Sequence, residues 1–125
     1  MQPLDILVID DDQLTSDLIR LLIERLGHTM HWAPDGERAL AKLESLRPAV
    51  IVLDLMLPYM DGHAVLQALR ARDDSRNTPV LMLTGKTSEA DIERALAAGA
   101  TDFLSKPFQP SELTSRLGRM IKQLG

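Results

Sequence analysis

A regular alternation between two apolar periods constrains this 125-residue chain more than any other feature. Short, nearly continuous apolar runs occur at residues 4–9 (broken only by Asp5), 50–53 and 80–83. Runs of this kind suit strands buried on both faces, as in a parallel sheet. A weaker strand signal covers 29–33, and a short last one contains Phe103 and Leu104. The intervening stretches carry helical spacing. Leu14, Leu18, Leu21, Leu22 and Leu26 form one stripe, closed by Gly27 as the residue after the C-cap. A second helix is expected over 36–46, stopping before Pro48, and a third over 64–71, begun by Asp61. The fourth is expected over 88–98, with Ser88 as N-cap, Asp91 in its first turn and Gly99 ending it. The fifth spans 111–124 and turns Leu113, Leu117, Met120, Ile121 and Leu124 to the core.

Five βα units with no linker or repeat imply a parallel sheet covered on both faces, because each crossover is right-handed. The expectation is a flavodoxin-like (βα)5 doubly wound α/β sandwich, strand order 2-1-3-4-5, with residues 1–125 as one domain. At 45% hydrophobic and 26% charged residues the chain has the composition of a globular domain rather than a disordered one. The absence of cysteine excludes disulfides, thiolate metal sites and a cysteine nucleophile. A net charge of −4 argues against a chain held to nucleic acid or anionic lipid by its overall field. No apolar run reaches the roughly 20 residues of a membrane span. Nor does a basic region precede the first apolar run, as in a signal peptide. The chain therefore reads as a soluble, cytoplasmic domain.

In such a fold, ligands sit beyond the carboxyl ends of the strands, near the switch point between strands 1 and 3. There the first run ends in Asp10-Asp11-Asp12, the third in Asp54, the fourth in Thr84-Gly85 and the fifth in Ser105-Lys106-Pro107. Carboxylates gathered this way raise one another's pKa unless a cation joins them. Hard oxygen donors without histidine or sulfur fit Mg²⁺. Each residue also has a plain reading. Asp12 reads as an N-cap, Asp10 and Asp11 alone as a solvated turn, and Lys106 alone as a surface lysine. Asp54 is different, because it follows four apolar residues and precedes Leu55-Met56-Leu57. The joint placement at the ends of different strands is what points to a site.

These residues resemble the receiver domains of bacterial two-component response regulators. The matching pieces are Ile6-Leu7-Val8-Ile9-Asp10-Asp11-Asp12, Asp54-Leu55-Met56-Leu57-Pro58 with Met60-Asp61-Gly62, Met82-Leu83-Thr84-Gly85, Gly99-Ala100 and Lys106-Pro107-Phe108. The resemblance covers essentially the whole chain. It implies a signalling phosphoacceptor that catalyses only its own phosphorylation and dephosphorylation, with the Asp54 carboxylate attacking phosphorus to give an aspartyl phosphate. It further implies Mg²⁺ held by Asp11, Asp10 (partly through water), Asp54 and the backbone carbonyl of Met56. Lys106 and the Thr84 hydroxyl would meet phosphoryl oxygens. Lys106-Pro107 is similar to the family's cis peptide bond. The implied donor is a sensor histidine kinase or a histidine phosphotransfer protein. The implied output is an effector domain or downstream protein, or a homodimer formed on phosphorylation, through the α4-β5-α5 surface, with no direct nucleic-acid or membrane contact.

Several positions depart from the commonest pattern or stand outside it. Phe103 occupies the aromatic switch position where many relatives have Tyr, so it lacks a hydroxyl; it reads equally as a switch partner of Thr84 or a fixed core residue. Met56 and Lys86 fall at positions that vary in the family and tune phosphoryl lifetime. His28, His31 and His63 lack ligand spacing and read as surface or turn residues, and Arg116, Arg119 and Lys122 as a solvated basic stripe. Three other functions compete. A haloacid-dehalogenase-type phosphatase would use Asp10-x-Asp12, but Leu14 stands where Thr or Val belongs. A flavodoxin-like electron carrier needs a phosphate-cradling loop where this chain has three carboxylates. The third is a docking pseudo-receiver that is never phosphorylated, although every phosphorylation residue is present.

Overall fold

A computed structural model describes residues 2–85 and 89–124. The elements run β1 (Asp5–Ile9), α1 (Gln13–Arg25), β2 (Thr29–Ala33), α2 (Gly36–Lys42), β3 (Val50–Asp54), α3 (Gly62–Ala71), β4 (Val80–Thr84), α4 (Glu89–Ala97), β5 (Asp102–Ser105) and α5 (Pro110–Gln123). All strand pairs are parallel, and the sheet order is β2-β1-β3-β4-β5. This is the flavodoxin-like arrangement the alternation predicts.

Successive strand residues point to opposite faces, so a strand covered on both sides must be apolar throughout. Ile6 and Val8 of β1 join a core with Ile19, Leu22 and Ile23 of α1 and Leu113 and Leu117 of α5. Leu7 and Ile9 join a second core with Val65, Leu66 and Leu69 of α3 and Ala39 of α2. Helix starts follow their caps. The Asp35 carboxylate accepts from the Arg38 N–H at 2.8 Å, and that of Asp61 from the Ala64 N–H at 2.9 Å. Gly27 and Gly99 follow α1 and α4 at φ +90° and +106°, a region costly for other residues. No helix among the described residues is long and apolar enough to cross a membrane.

The structure corrects the sequence reading at four places. The face of α1 that meets the sheet is Ser16, Ile19, Leu22 and Ile23, while Leu14, Leu18, Leu21 and Leu26 are exposed, Leu14 at 80%. Leu124 is likewise exposed rather than core-facing. The second helix ends at Lys42 rather than 46, where the Arg47 guanidinium takes up the carbonyls of Leu43 and Leu46. Finally, His28 and His63 are buried, not superficial: His28 accepts the Leu4 N–H through Nδ1 at 3.0 Å. The expected roles of Lys86 and Ser88 lie outside the described residues.

Candidate functional site

Parallel register delivers the charged residues to one edge. Ile9 pairs with Leu53, so Asp10 leaves β1 beside Asp54 at the end of β3. Asp54 pairs with Leu83, which puts Thr84 one step further along β4, and Thr84 pairs with Ser105, directly before Lys106. Backbone bonds hold the exits: Leu55 N–H to Leu83 O at 2.8 Å and Lys106 N–H to Thr84 O at 2.8 Å. Each of these side chains thus lies at or just beyond the carboxyl end of a strand locked into the sheet.

The result is a compact acidic cluster. One carboxylate oxygen from each of Asp10, Asp11 and Asp54 lies within 4.8 Å of the others, with Asp10 and Asp54 buried and Asp11 exposed at the rim. The Lys106 ammonium stands 3.1 Å from Asp10 Oδ2 and 3.1 Å from Asp54 Oδ2. Burial pushes the Asp54 carboxyl above the usual carboxylate range and Asp10 adds to it, against the pull of the Met56 N–H and Lys106. Burial alone would lower the Lys106 ammonium, yet its bonds to Asp54 and Asp10 leave it raised. The ammonium gains from two carboxylates at once, whereas its pull on Asp54 does not offset the burial of that carboxyl.

Asp54 Oδ1 accepts the Met56 N–H at 3.0 Å, which leaves Oδ2 facing Lys106. The Met56 side chain is 59% exposed over this turn. Thr84 is buried at the end of β4. Asp12 sits at the N-cap position of α1, and its carboxylate accepts the Thr15 hydroxyl. The Lys106-Pro107 peptide is cis. Phe103 is partly buried against the α2–α3–α4 core, and the Arg116 guanidinium covers its ring at 5.9 Å while bonding Asp102 at 2.9 Å. Arg116 is therefore not part of a solvated stripe.

The donor set fits a small hard cation. Three carboxylates, no nitrogen or sulfur donor and an exposed rim residue suit Mg²⁺, which takes one or two carboxylates and keeps several waters. Two contributors escape sequence reasoning. Gly62 packs against β3 so closely that a Cβ there would lie 2.6 Å from the Asp54 carbonyl oxygen. Trp32 of β2 donates its indole N–H to the Asp10 carbonyl at 2.7 Å. Register alone could have flagged Trp32, because it pairs with Val8, two residues before Asp10.

Comparison with known proteins bears on this arrangement. The family model described as "Response regulator receiver domain" matches residues 6–118. The alkaline phosphatase synthesis transcriptional regulatory protein PhoP of Bacillus subtilis is 41% identical over 118 residues, covering 94% of this chain and 48% of that protein. The chain spans about half the length of the curated relatives it matches. The chemotaxis response regulator CheY4 of Vibrio cholerae superposes with a TM-score of 0.90 at 34% identity, covering 95% of this chain and 99% of that one. The receiver domain of the sensor histidine kinase PA1611 of Pseudomonas aeruginosa superposes with a TM-score of 0.87 at 32% identity, covering 96% and 98%. That structure has a magnesium ion coordinated in its active site cleft.

Proposed function

The chain belongs to the response regulator receiver domain family of two-component systems, and on that premise we propose that it takes a phosphoryl group onto Asp54. The observation that supports this reading best is convergence: the Asp10, Asp11 and Lys106 side chains gather on Asp54 from two further strands. In the proposed step a carboxylate oxygen of Asp54 attacks phosphorus in line. The phosphorus–nitrogen bond of a phosphohistidine donor breaks, and the histidine nitrogen keeps the electron pair. Mg²⁺ held by Asp10, Asp11, Asp54 and the backbone carbonyl of Met56 would offset the repulsion between carboxylate and phosphoryl oxygens.

The residues of the chain supply the rest. Burial keeps Asp54 away from bulk water, and the Met56 N–H fixes one of its oxygens so that the other faces the ammonium. Lys106 moves from pairing two carboxylates to pairing a phosphoryl oxygen, a charge-assisted contact. The Thr84 hydroxyl bonds a further oxygen, and its shift is transmitted to Phe103 on the neighbouring strand and so to α4, β5 and α5. Beside Lys106, a groove of about 380 Å³ is lined by Thr15, Leu18, Pro107 and Phe108. The donor is a sensor histidine kinase or a histidine phosphotransfer protein, and the output partner is an effector domain, a downstream protein or a second copy. This module works as a cytoplasmic signalling part without touching nucleic acid or membrane itself.

Phosphoramidate tests the reading, because it carries the same phosphorus–nitrogen bond. Incubation with Mg²⁺ is expected to give an alkali-labile, hydroxylamine-sensitive acyl phosphate, and chelation of the metal to abolish it. Equal labelling with and without Mg²⁺, or none, contradicts the proposal.

A further inference from the structure

Every polar atom of the fully buried Asp10 has a partner. Its N–H donates to Ala33 O at 3.2 Å, its Oδ1 accepts the Asp12 N–H at 2.9 Å and its Oδ2 faces Lys106 Nζ at 3.1 Å. The fourth atom, the carbonyl oxygen, accepts the Trp32 indole N–H at 2.7 Å. Among the described residues, Trp32 is the side chain bonded to this carbonyl. It reaches there along the sheet face that carries α1 and α5, with its ring packed against that core.

The Asp10 carbonyl and the Asp11 N–H belong to one rigid peptide plane. A donor that fixes this carbonyl therefore fixes the orientation from which the Asp11 side chain departs. Asp11 itself is exposed at the rim, so among the described residues the indole is the side-chain contact that holds this peptide from outside the β1–α1 turn. A buried carbonyl that lost the indole would be left unsatisfied, and rotating the peptide is the direct way to relieve that.

We infer that Trp32 is a positioning residue for divalent metal, holding the Asp10–Asp11 peptide so that the two carboxylates meet one ion. This inference rests on the Mg²⁺ reading of the site and adds a residue from β2 to it. Groups that orient ligands without touching the metal typically contribute 10–100-fold to its affinity, so the loss of one indole N–H is expected near the lower end of that range.

Calorimetric titration with Mg²⁺ tests it on three proteins, each with its melting temperature measured alongside. Trp32→Phe removes the N–H and keeps most of the ring. Ile23→Val loosens the same core from α1 without touching Asp10. The expected result is about tenfold weaker Mg²⁺ binding by Trp32→Phe and unchanged binding by Ile23→Val, even where both melt lower. Should Trp32→Phe pack poorly, a benzothienyl-alanine at position 32 keeps the ring shape and replaces only the N–H by sulfur, with the same expected loss. Equal affinity of wild type and both position-32 variants overturns the inference, as does a loss in all variants that follows their melting temperatures. Absence of Mg²⁺ binding by the wild type overturns the metal reading first, and this inference with it.

Discussion

Gly62 shows how tightly the end of β3 is held. Its N–H donates to Leu55 O at 2.9 Å, and a Cβ at this position would meet both the Asp54 carbonyl and the Leu55 Cα at 2.6 Å. Backbone on that side cannot yield without moving Asp54. Gly62→Ala is therefore expected to destabilise the fold by about 1–3 kcal/mol, the usual range for overpacking, read as a lower urea midpoint; an unchanged midpoint would contradict the close approach. Asp54 itself carries the pH dependence. Its native pKa is raised, so the native state holds this proton more tightly than the unfolded chain does. The group thus favours folding below its unfolded pKa, and that contribution is lost as pH rises through the native value. Without divalent metal, Asp54→Asn is expected to melt higher than wild type at pH 7, with the gap closing towards pH 4. A gap independent of pH would mean that Asp54 is not desolvated as described. The acidic residues and Lys106 were legible in the sequence because they fall together at the carboxyl ends of successive expected strands. Gly62 was legible only as a motif residue and Trp32 not at all, because the close packing of the one and the indole bond of the other depend on approach distances that spacing does not encode.

Helix α1 carries the clearest lesson about elements. It holds apolar residues at 14, 18, 19, 21, 22, 23 and 26, enough for two overlapping stripes at helical spacing. The leucine stripe is longer, but the sheet takes the face with Ser16, Ile19, Leu22 and Ile23, where a small residue admits close approach beside two β-branched ones. Periodicity fixes that a face exists; when two stripes share Leu22, only packing against β1 and α5 decides its phase. In α5 the competing polar residues leave one choice, and Leu113, Leu117, Met120 and Ile121 are buried as expected. Ile19→Ala is accordingly expected to cost about 2–5 kcal/mol, and Leu14→Gln to stay within about 0.5 kcal/mol, as exposed substitutions do. Chemical denaturation of both variants checks this, and the reverse ranking would restore the leucine stripe to the core.

At the scale of the whole molecule, the order β2-β1-β3-β4-β5 followed from the alternation of periods, since right-handed crossovers leave few other arrangements. The proposed site is a consequence of that order, which sets β1 beside β3 and carries β4 and β5 to the same side. A cation bound only by the native state adds RT ln(1 + [L]/Kd), about 2.7 kcal/mol at a hundredfold excess over Kd. Millimolar Mg²⁺ is therefore expected to raise the melting temperature of the wild type and not that of Asp11→Asn; a wild type that does not respond would argue against the cation site. Lys106 bridges Asp10 and Asp54 and so offsets part of the repulsion between these two carboxylates. The most direct test of the central claim is the intact mass after incubation with acetyl phosphate and Mg²⁺, recorded cold and mildly acidic. The account predicts one added phosphoryl group on the wild type and none on Asp54→Asn, whose amide is too poor a nucleophile. An equal gain by both proteins, or no gain by the wild type, would contradict it.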